Sequence, residues 1–385
     1  MITAVSLGTT GTIASKYASR KTIRYAQPEA LATWSVNWLK IAGHPSSAQG
    51  DSGVLSLHAV TVNWGLLSTA AINDAILAGA AESSAVEVVA VASRDEDRAR
   101  VYAREHGLAR SYGSYEGLLE DPEIDAVYVS LPNRLHVEWT LRALDAGKHV
   151  LVEKPFSRHP EQVEEAFDSA EAAGLVLSEG FMWRHHPQTR RLTELIGSGA
   201  VGRVRVLRAA FGFDLAASRG PADTRFDLGL DGGALMDVGC YCISAHRLVG
   251  GETERARGEQ ALGSTGVDVV FTGALEFPNE VLGHFDCGFV FPRRAALEVV
   301  GDEATLLVPD PFTTGTPGIE LQRPGAKPEP IPIDPANAYR LELENVSAAI
   351  RGEAELMLGR DDALGQARTI EALYASVSRS ASSSE

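Results

Sequence analysis

AVYVSLPNRLHVEWTLRALDAGKHVLVEKPFS, residues 126–157, decides the fold. Ala126 to Leu131 is a short β-branched and apolar run, and the Pro132-Asn133 pair after it is turn chemistry. His136 to Ala146 then spaces apolar residues three and four apart, as on one face of a helix. Beyond Gly147, His149 to Glu153 forms a second apolar run that stops at Lys154-Pro155. Strand, helix and strand in this order make a βαβ unit, whose crossover is right-handed and whose strands are parallel.

The same alternation continues on both sides. Val60 to Leu67, Val86 to Ala92 and Leu175 to Glu179 read as strands; Ala70 to Leu77, Glu96 to Glu105 and Pro160 to Ala173 read as helices. The unbroken apolar run VEVVAVA suits a strand covered on both faces. Residues 60–182 are therefore expected to form a doubly wound parallel sheet. After residue 182 the strands lengthen and alternate apolar with polar, as in VRVLRAAFGF (204–213), VDVVFTGALEF (267–277) and EVLGHFDCGFVF (280–291). That pattern belongs to a large, mostly antiparallel sheet with one better protected face. Helices at Tyr339 to Ile350 and Asp361 to Val377 close an α+β domain spanning 183–377, and the Ser-rich residues 378–385 read as a disordered tail. The fold class is α/β plus α+β.

Composition removes several functions. With 44% hydrophobic and 22% charged residues the chain is a soluble globular type. No stretch is apolar enough for a membrane span, so no membrane partner is expected. A formal charge of −16 argues against nucleic acid, whose binding needs clustered cations. Three cysteines, Cys240, Cys242 and Cys287, give neither a disulfide framework nor a zinc site, and a reducing cytoplasm fits them best. The adjacent His185 and His186 diverge on any regular element and have no evident third ligand, so no metal is expected. Residues 1–59 differ from the rest, with Lys16, Arg20, Lys21, Arg24 and Lys40 against Glu29 and Asp51. They match an organelle transit peptide loosely; a disordered extension or an upstream start is the preferred reading.

Two segments carry chemistry. Lys154 ends a strand of an open parallel sheet, where ligands gather, although a solvated turn lysine has the same appearance. In DGGALMDVGCYC (231–242), Gly232 and Gly233 permit a tight approach before a helix starting near Ala234. Asp237 and Tyr241, four apart, share one face of it. Taken alone, that pair also fits a buried tyrosine and a dipole-stabilised aspartate.

In this order, after a βα domain, Glu153-Lys154-Pro155 and Gly232-Gly233-Ala234-Leu235-Met236-Asp237-Val238-Gly239-Cys240-Tyr241 resemble the two signatures of the Gfo/Idh/MocA oxidoreductase family. SLPNRLH (130–136), GFMWRHHP (180–187) and IGSGAVGRV (196–204) extend the likeness from about Val62 to Val377. Tyr241, where many relatives have His, resembles the branch of dimeric dihydrodiol dehydrogenases, NADP-dependent xylose dehydrogenases and glucose-fructose oxidoreductase.

The resemblance implies a Rossmann-type cofactor domain and hydride transfer between nicotinamide and a carbinol carbon. In that chemistry Tyr241 moves the hydroxyl proton, Lys154 polarises the oxygen, and Asp237 orients the pair or binds a substrate hydroxyl. An ammonium beside a phenol lowers its pKa, which predicts a Tyr241 tuned downward. The resemblance also assigns cofactor contacts to Ser68, Thr69, Ala70, Ala71 and Ile72 of a glycine-poor pyrophosphate turn, to Leu131, Pro132, Asn133 and His136, and to Glu153 and Lys154. Structural roles remain open for several of these, an N-cap for Ser68 or Thr69 and a turn for Pro132-Asn133. About 20 residues past the turn stand Ser93 and Arg94, a small residue with Arg where an acidic residue binds NAD, which favours NADP with NAD possible. Trp183 and Arg184 are expected to line the cleft between domains. The implied substrate is a neutral polyhydroxylated molecule, a sugar, polyol or trans-dihydrodiol, and the implied assembly a homodimer or tetramer. Two alternatives stay open: an NAD-dependent glycosidase-like enzyme without net redox change, and a dinucleotide-sensing binding module.

Overall fold

A computed structural model describes residues 61–313 and 315–382, with side chains through Val377. The expectations for residues 1–59 and for the last three residues lie outside the described residues. The first layer runs β1 (Val62–Leu67), α1 (Asn73–Ala81), β2 (Val86–Ala92), α2 (Glu96–His106), β3 (Arg110–Tyr112), α3 (Tyr115–Leu119), β4 (Ala126–Val129), α4 (His136–Asp145), β5 (His149–Glu153), α5 (Pro160–Ala173) and β6 (Leu177–Gly180). All its strand pairs are parallel, in the order β3-β2-β1-β4-β5-β6. The direction of winding reverses between β1 and β4, and a crevice opens at their carboxyl ends. Trp64, Leu66, Val127, Val150 and Leu151 are buried on one face or the other, which is why these runs read as continuously apolar.

The second layer holds α6 (Pro187–Gly197), β7 (Val204–Gly212), α7 (Leu215–Arg219), α8 (Cys240–Gly250), β8 (Arg255–Leu262), β9 (Asp268–Phe277), β10 (Val281–Gly288), β11 (Arg294–Gly301), β12 (Thr305–Val308), β13 (Ile319–Gln322) and β14 (Glu329–Ile331). Its eight strands lie in the order β14-β13-β12-β11-β7-β10-β9-β8, and only β7 with β10 is parallel. Phe271, Phe285, Leu297 and Val299 point to the face packed under α8, whereas Leu282 on the other face is 53% exposed. Alternation along each strand thus separates a core face from an open one.

Two helices complete the chain, α9 (Ala338–Ile350) and α10 (Arg360–Ser382). Although α9 follows the second sheet in sequence, it packs on α1 and puts Leu343 and Val346 into the core of the first layer. Each such burial contributes about 1.5–3 kcal/mol. Trp64 Nε1 donates to Ser347 Oγ at 3.2 Å and fixes the crossing. Gly79 is required there, since a Cβ on it would lie 2.7 Å from the Arg340 nitrogen. The α10 backbone stays helical to Ser382, past the Val377 end expected from sequence. Extending a docked helix avoids the nucleation cost that makes an isolated Ser-rich segment disordered.

Candidate functional site

The chain leaves β1 through Ser68, whose φ of 142° is a backbone state that favours glycine. Its side chain supports that conformation. Ser68 Oγ lies 2.8 Å from the Ser130 carbonyl beyond β4 and accepts from Ala70 N–H at 3.0 Å, while Asn73 Nδ2 donates to the Ser68 carbonyl at 2.8 Å. Serine hydrogen bonds thus hold a turn that glycine would adopt unaided. The N–H groups of Thr69, Ala71 and Ile72 have no acceptor among the described residues, and Ile72 caps α1 without a side-chain bond. Free N–H donors at a helix N-terminus fit a pyrophosphate.

At the end of β2, Ser93 Oγ accepts from Asp95 N–H at 3.2 Å, and Asp95 in turn caps α2 by accepting from Arg98 N–H at 3.0 Å. The Asp95 carboxylate is thereby engaged. Arg94 is exposed, faces the Tyr115 hydroxyl and has no carboxylate partner among the described residues. The residues present therefore suit a phosphorylated ribose better than a bare one.

The charged centre sits where β5 meets the helix of the second layer. Lys154 Nζ donates to the Asp237 carbonyl at 2.8 Å and to Asp237 Oδ1 at 3.0 Å. Arg225 Nε stands 3.1 Å from Asp237 Oδ2. Burial pushes the Asp237 carboxyl up, but Lys154 and then Arg225 outweigh it, and the net shift is downward. Burial likewise disfavours charge on Lys154, and Asp237 more than offsets that. Arg225 Nη1 also stands 3.3 Å from Asp223 Oδ2, so the centre joins two positive charges, Lys154 and Arg225, to two negative ones, Asp237 and Asp223. Nothing in the sequence near Arg225 announced its role: the loop that carries it folds back only in three dimensions.

The glycines explain how. Gly232 and Gly233 N–H donate to the carbonyls of Asp227 and Arg225, both at 3.0 Å. A Cβ on Gly232 would lie 2.4 Å from the Arg225 carbonyl oxygen, and Gly233, with φ of 128°, would place one 2.3 Å from Asp268 Oδ1. The pair lets the Arg225 loop lie against the helix that presents Asp237. That helix opens with a π-helical turn, Leu235–Gly239, a feature frequent at functional sites.

Tyr241 is caged by Phe181, Phe211 and Phe312, with ring centroids at 5.5, 5.3 and 5.5 Å. Its hydroxyl has no partner among the described residues, and the side chain is only half-buried. Lys154 Nζ lies over the ring face, 4.8 Å from the centroid, and not at the hydroxyl. The expected downward tuning is therefore corrected: burial first, then Glu153 and other acidic groups, raise the Tyr241 pKa well above its ordinary value. The lysine charge is engaged by Asp237, which is the physical reason.

Several of the expected contact residues make bonds within the protein. His136 is buried, with Nδ1 2.9 Å from the Pro155 carbonyl and Nε2 2.7 Å from that of Leu131, so neither nitrogen is left for a ligand. It ties the end of β4 to the end of β5. Glu153 points to the opposite face of β5 from Lys154, meets the Tyr128 hydroxyl, and has a pKa raised by burial. Asn133 Nδ2 donates to the Asp231 carbonyl at 2.8 Å, bridging the layers. Leu131 is buried, and the half-buried Pro132 leads into the turn that carries Asn133. Trp183, 1% exposed, stacks edge-on against Phe312 inside the core and lines no cleft. Arg184 binds Asp362 at 3.2 Å and Ser244 at 3.3 Å. The short helical turn Met182–His185 tucks these side chains inward. His186 Nδ1 accepts from Gln188 N–H at 3.1 Å and caps α6.

Glu179 went unread as well. It is 2% exposed, accepts from Phe156 N–H at 2.8 Å through Oε1, and leaves Oε2 without a partner among the described residues. Burial raises its pKa to about 8. No helix among the described residues is long and apolar enough to cross a membrane.

Residues 65–181 match the oxidoreductase family with an NAD-binding Rossmann fold, GFO_IDH_MocA, and residues 189–307 match the GFO/IDH/MocA C-terminal domain. D-xylose 1-dehydrogenase (NADP(+)) 2 of Haloferax volcanii is 36% identical over 265 residues, 68% of this chain and 81% of the relative. Trans-1,2-dihydrobenzene-1,2-diol dehydrogenase of Danio rerio is 32% identical over 260 residues, 65% of this chain and 77% of the relative. The crystal structure of KijD10, a 3-ketoreductase from Actinomadura kijaniata in complex with NADP and TDP-benzene, superimposes with a TM-score of 0.76 at 30% identity, covering 82% of this chain and 98% of that one. With its parallel first sheet, its mostly antiparallel second sheet and the lysine, aspartate and tyrosine gathered between them, the chain belongs to the Gfo/Idh/MocA family of oxidoreductases.

Proposed function

We propose that the chain is an NADP-dependent dehydrogenase or reductase acting on a CH–OH group of a sugar, polyol or trans-dihydrodiol, with Tyr241 as the proton-transfer residue. One observation carries this reading: a phenol without a hydrogen-bond partner among the described residues, half-buried, on the same turn as Asp237 and beside Lys154. The cofactor, when bound, supplies or accepts the hydride. The chain's own residues handle the oxygen. In reduction the neutral Tyr241 hydroxyl gives its proton to the substrate oxygen as that oxygen gains charge; in oxidation the carbinol proton returns to Tyr241. An ammonium has three donors, and Lys154 has given two to Asp237, so the third is available to the same oxygen. Held in place by Asp237, the Lys154 ammonium meets a developing alkoxide without reorganising at the moment of reaction.

Ser68 to Ile72 are proposed to hold the pyrophosphate, and Ser93 with Arg94 the 2′-phosphate. Asn133 and Lys154 would border the reacting ring. The relatives' names support NADP and sugar or diol substrates, and the division into cofactor and substrate domains near residue 182 is part of the same proposal. The test is net NADPH formation or consumption across pentoses, hexoses and trans-dihydrodiols, with NAD as control. Turnover is expected with NADP. Cofactor binding with no turnover on any of them would overturn the reading.

A further inference from the structure

The helix that presents Asp237 and Tyr241 opens at Ala234 and Leu235 with no side-chain cap of its own. The N–H donors of its first turn must therefore be met from elsewhere in the fold. Asp268, the first residue of β9, meets them: Oδ2 accepts from Leu235 N–H at 2.7 Å, and Ala234 N–H faces the same carboxylate. Oδ1 accepts from the Tyr374 hydroxyl of α10 at 2.8 Å. Asp268 is 3% exposed and is paired with no cation among the described residues. A carboxylate buried in this way is costly, and its charge-assisted hydrogen bonds are what offset the cost.

The surrounding residues are shaped to this contact. Gly233, at a φ of 128°, brings the chain so close that a Cβ would lie 2.3 Å from Asp268 Oδ1 and 3.3 Å from the Tyr374 hydroxyl. Tyr374 is itself fixed on two sides, by the Phe271 ring edge-on at 5.8 Å and by the Arg158 guanidinium 5.3 Å from its ring centroid. Arg158 belongs to the segment that follows Lys154 and β5. One line of contacts thus runs from the end of β5 through α10 and β9 to the start of the helix. The two ends of that line meet again where Lys154 Nζ stands 3.0 Å from Asp237 Oδ1.

We propose that Asp268 and Tyr374 are positioning residues of the oxidoreductase site, clamping the start of this helix so that Asp237 and Tyr241 stand beside Lys154. The clamp rests on the functional reading of those three residues. Burial raises the Asp268 pKa to about 6, against the lowering effect of Leu235 N–H, the Tyr374 hydroxyl and Ala234 N–H. The titratable and charged groups around it are Tyr374 from α10, with Arg158 beyond its ring, and Cys287 from β10. Above this pKa the carboxylate accepts from every donor it faces. Below it one oxygen becomes a donor and the clamp loses an acceptor.

The pH profile of kcat for carbonyl reduction by NADPH tests it in the wild type and three variants. Wild-type kcat is expected to fall in acid with a midpoint near the Asp268 pKa of about 6. Tyr374→Phe removes a bond that favours the ionised carboxylate and should move the midpoint upward. Asp268→Asn keeps an acceptor for Leu235 N–H and cannot titrate, so it should lose the acid limb at a modest cost in kcat. Asp268→Ala should lower kcat by about 10- to 100-fold, the usual worth of a charged hydrogen bond, with KM for NADPH unchanged. An acid limb that persists in Asp268→Asn and stays put in Tyr374→Phe, or losses in NADPH binding that match those in kcat, would overturn the proposal. Hydrogen exchange over residues 233–242 gives the answer without turnover. Protection that drops there in Asp268→Ala and Tyr374→Phe, and holds in the first sheet, supports the clamp even if the wild type reduces no substrate, a failure that would count against the oxidoreductase reading alone. Unchanged protection of residues 233–242 overturns it.

Discussion

Tyr241 is the residue on which the proposed chemistry turns, and its environment sets a direction. Because burial and nearby acidic groups hold its pKa well above the ordinary value, it stays protonated across the working range. Reduction should then vary little with pH through the phenol, whereas oxidation, which needs an empty proton acceptor, should speed up between about pH 6 and 9 without a plateau. A plateau near neutrality in kcat/KM for oxidation would contradict this. Arg94 gives a second prediction: Arg94→Ala should raise KM for NADP by about 10- to 100-fold and leave that for NAD nearly unchanged. Equal effects on both cofactors would remove Arg94 from phosphate recognition. Glu179 gives a third. Its folded pKa of about 8 exceeds the unfolded carboxyl value, so its contribution to stability is complete in acid and is lost as pH rises from about 4.3 toward 8. Arg247 opposes that shift, while Asp362 and Glu153 reinforce it. Glu179→Gln should flatten the decline, as measured by urea unfolding at several pH values; an unchanged slope would show that Glu179 is ionised in the folded protein.

Elements position these residues, and they differ in how far the sequence discloses them. The apolar strands β1, β2, β4 and β5 were legible because burial on both faces leaves an unbroken β-branched run. In contrast β3, three residues long with Arg110 and Ser111, and the short outer strands β12 to β14 carry too little periodicity to read. The two signatures revealed Lys154, Asp237 and Tyr241, since each lies inside a segment with its own pattern. Arg225 was hidden: it reaches Asp237 through a loop whose path depends on Gly232 and Gly233 accepting close backbone contact. Gly232→Ala tests that path. With its Cβ 2.4 Å from the Arg225 carbonyl oxygen, the loop must move, and kcat should fall at least about tenfold while NADP affinity holds. Wild-type kcat in a folded Gly232→Ala protein would show that the loop's position does not matter. Trp183 and Arg184 misled for the complementary reason. An aromatic beside a cation at a domain junction reads as a cleft, yet Phe312 and Asp362 draw both side chains into the interior.

At the scale of the whole molecule, α9 crosses back onto the first layer and Lys154 reaches the second, so the proposed cofactor and substrate surfaces meet at one seam. The open face of the second sheet exposes Leu282, and Leu262 and Val290 are 58% and 56% exposed. Apolar exposure of this kind supports the proposed self-association; sedimentation should find a dimer or larger species, and a monomer at micromolar concentration would count against it. The seam also fixes what the central test must be. Single-turnover reduction of a carbonyl substrate by NADPH, compared between wild type and Tyr241→Phe, isolates the proton transfer from binding. The account predicts a rate lower by roughly 10²- to 10⁴-fold in Tyr241→Phe with NADPH affinity unchanged. A Tyr241→Phe protein that turns over at the wild-type rate would contradict it.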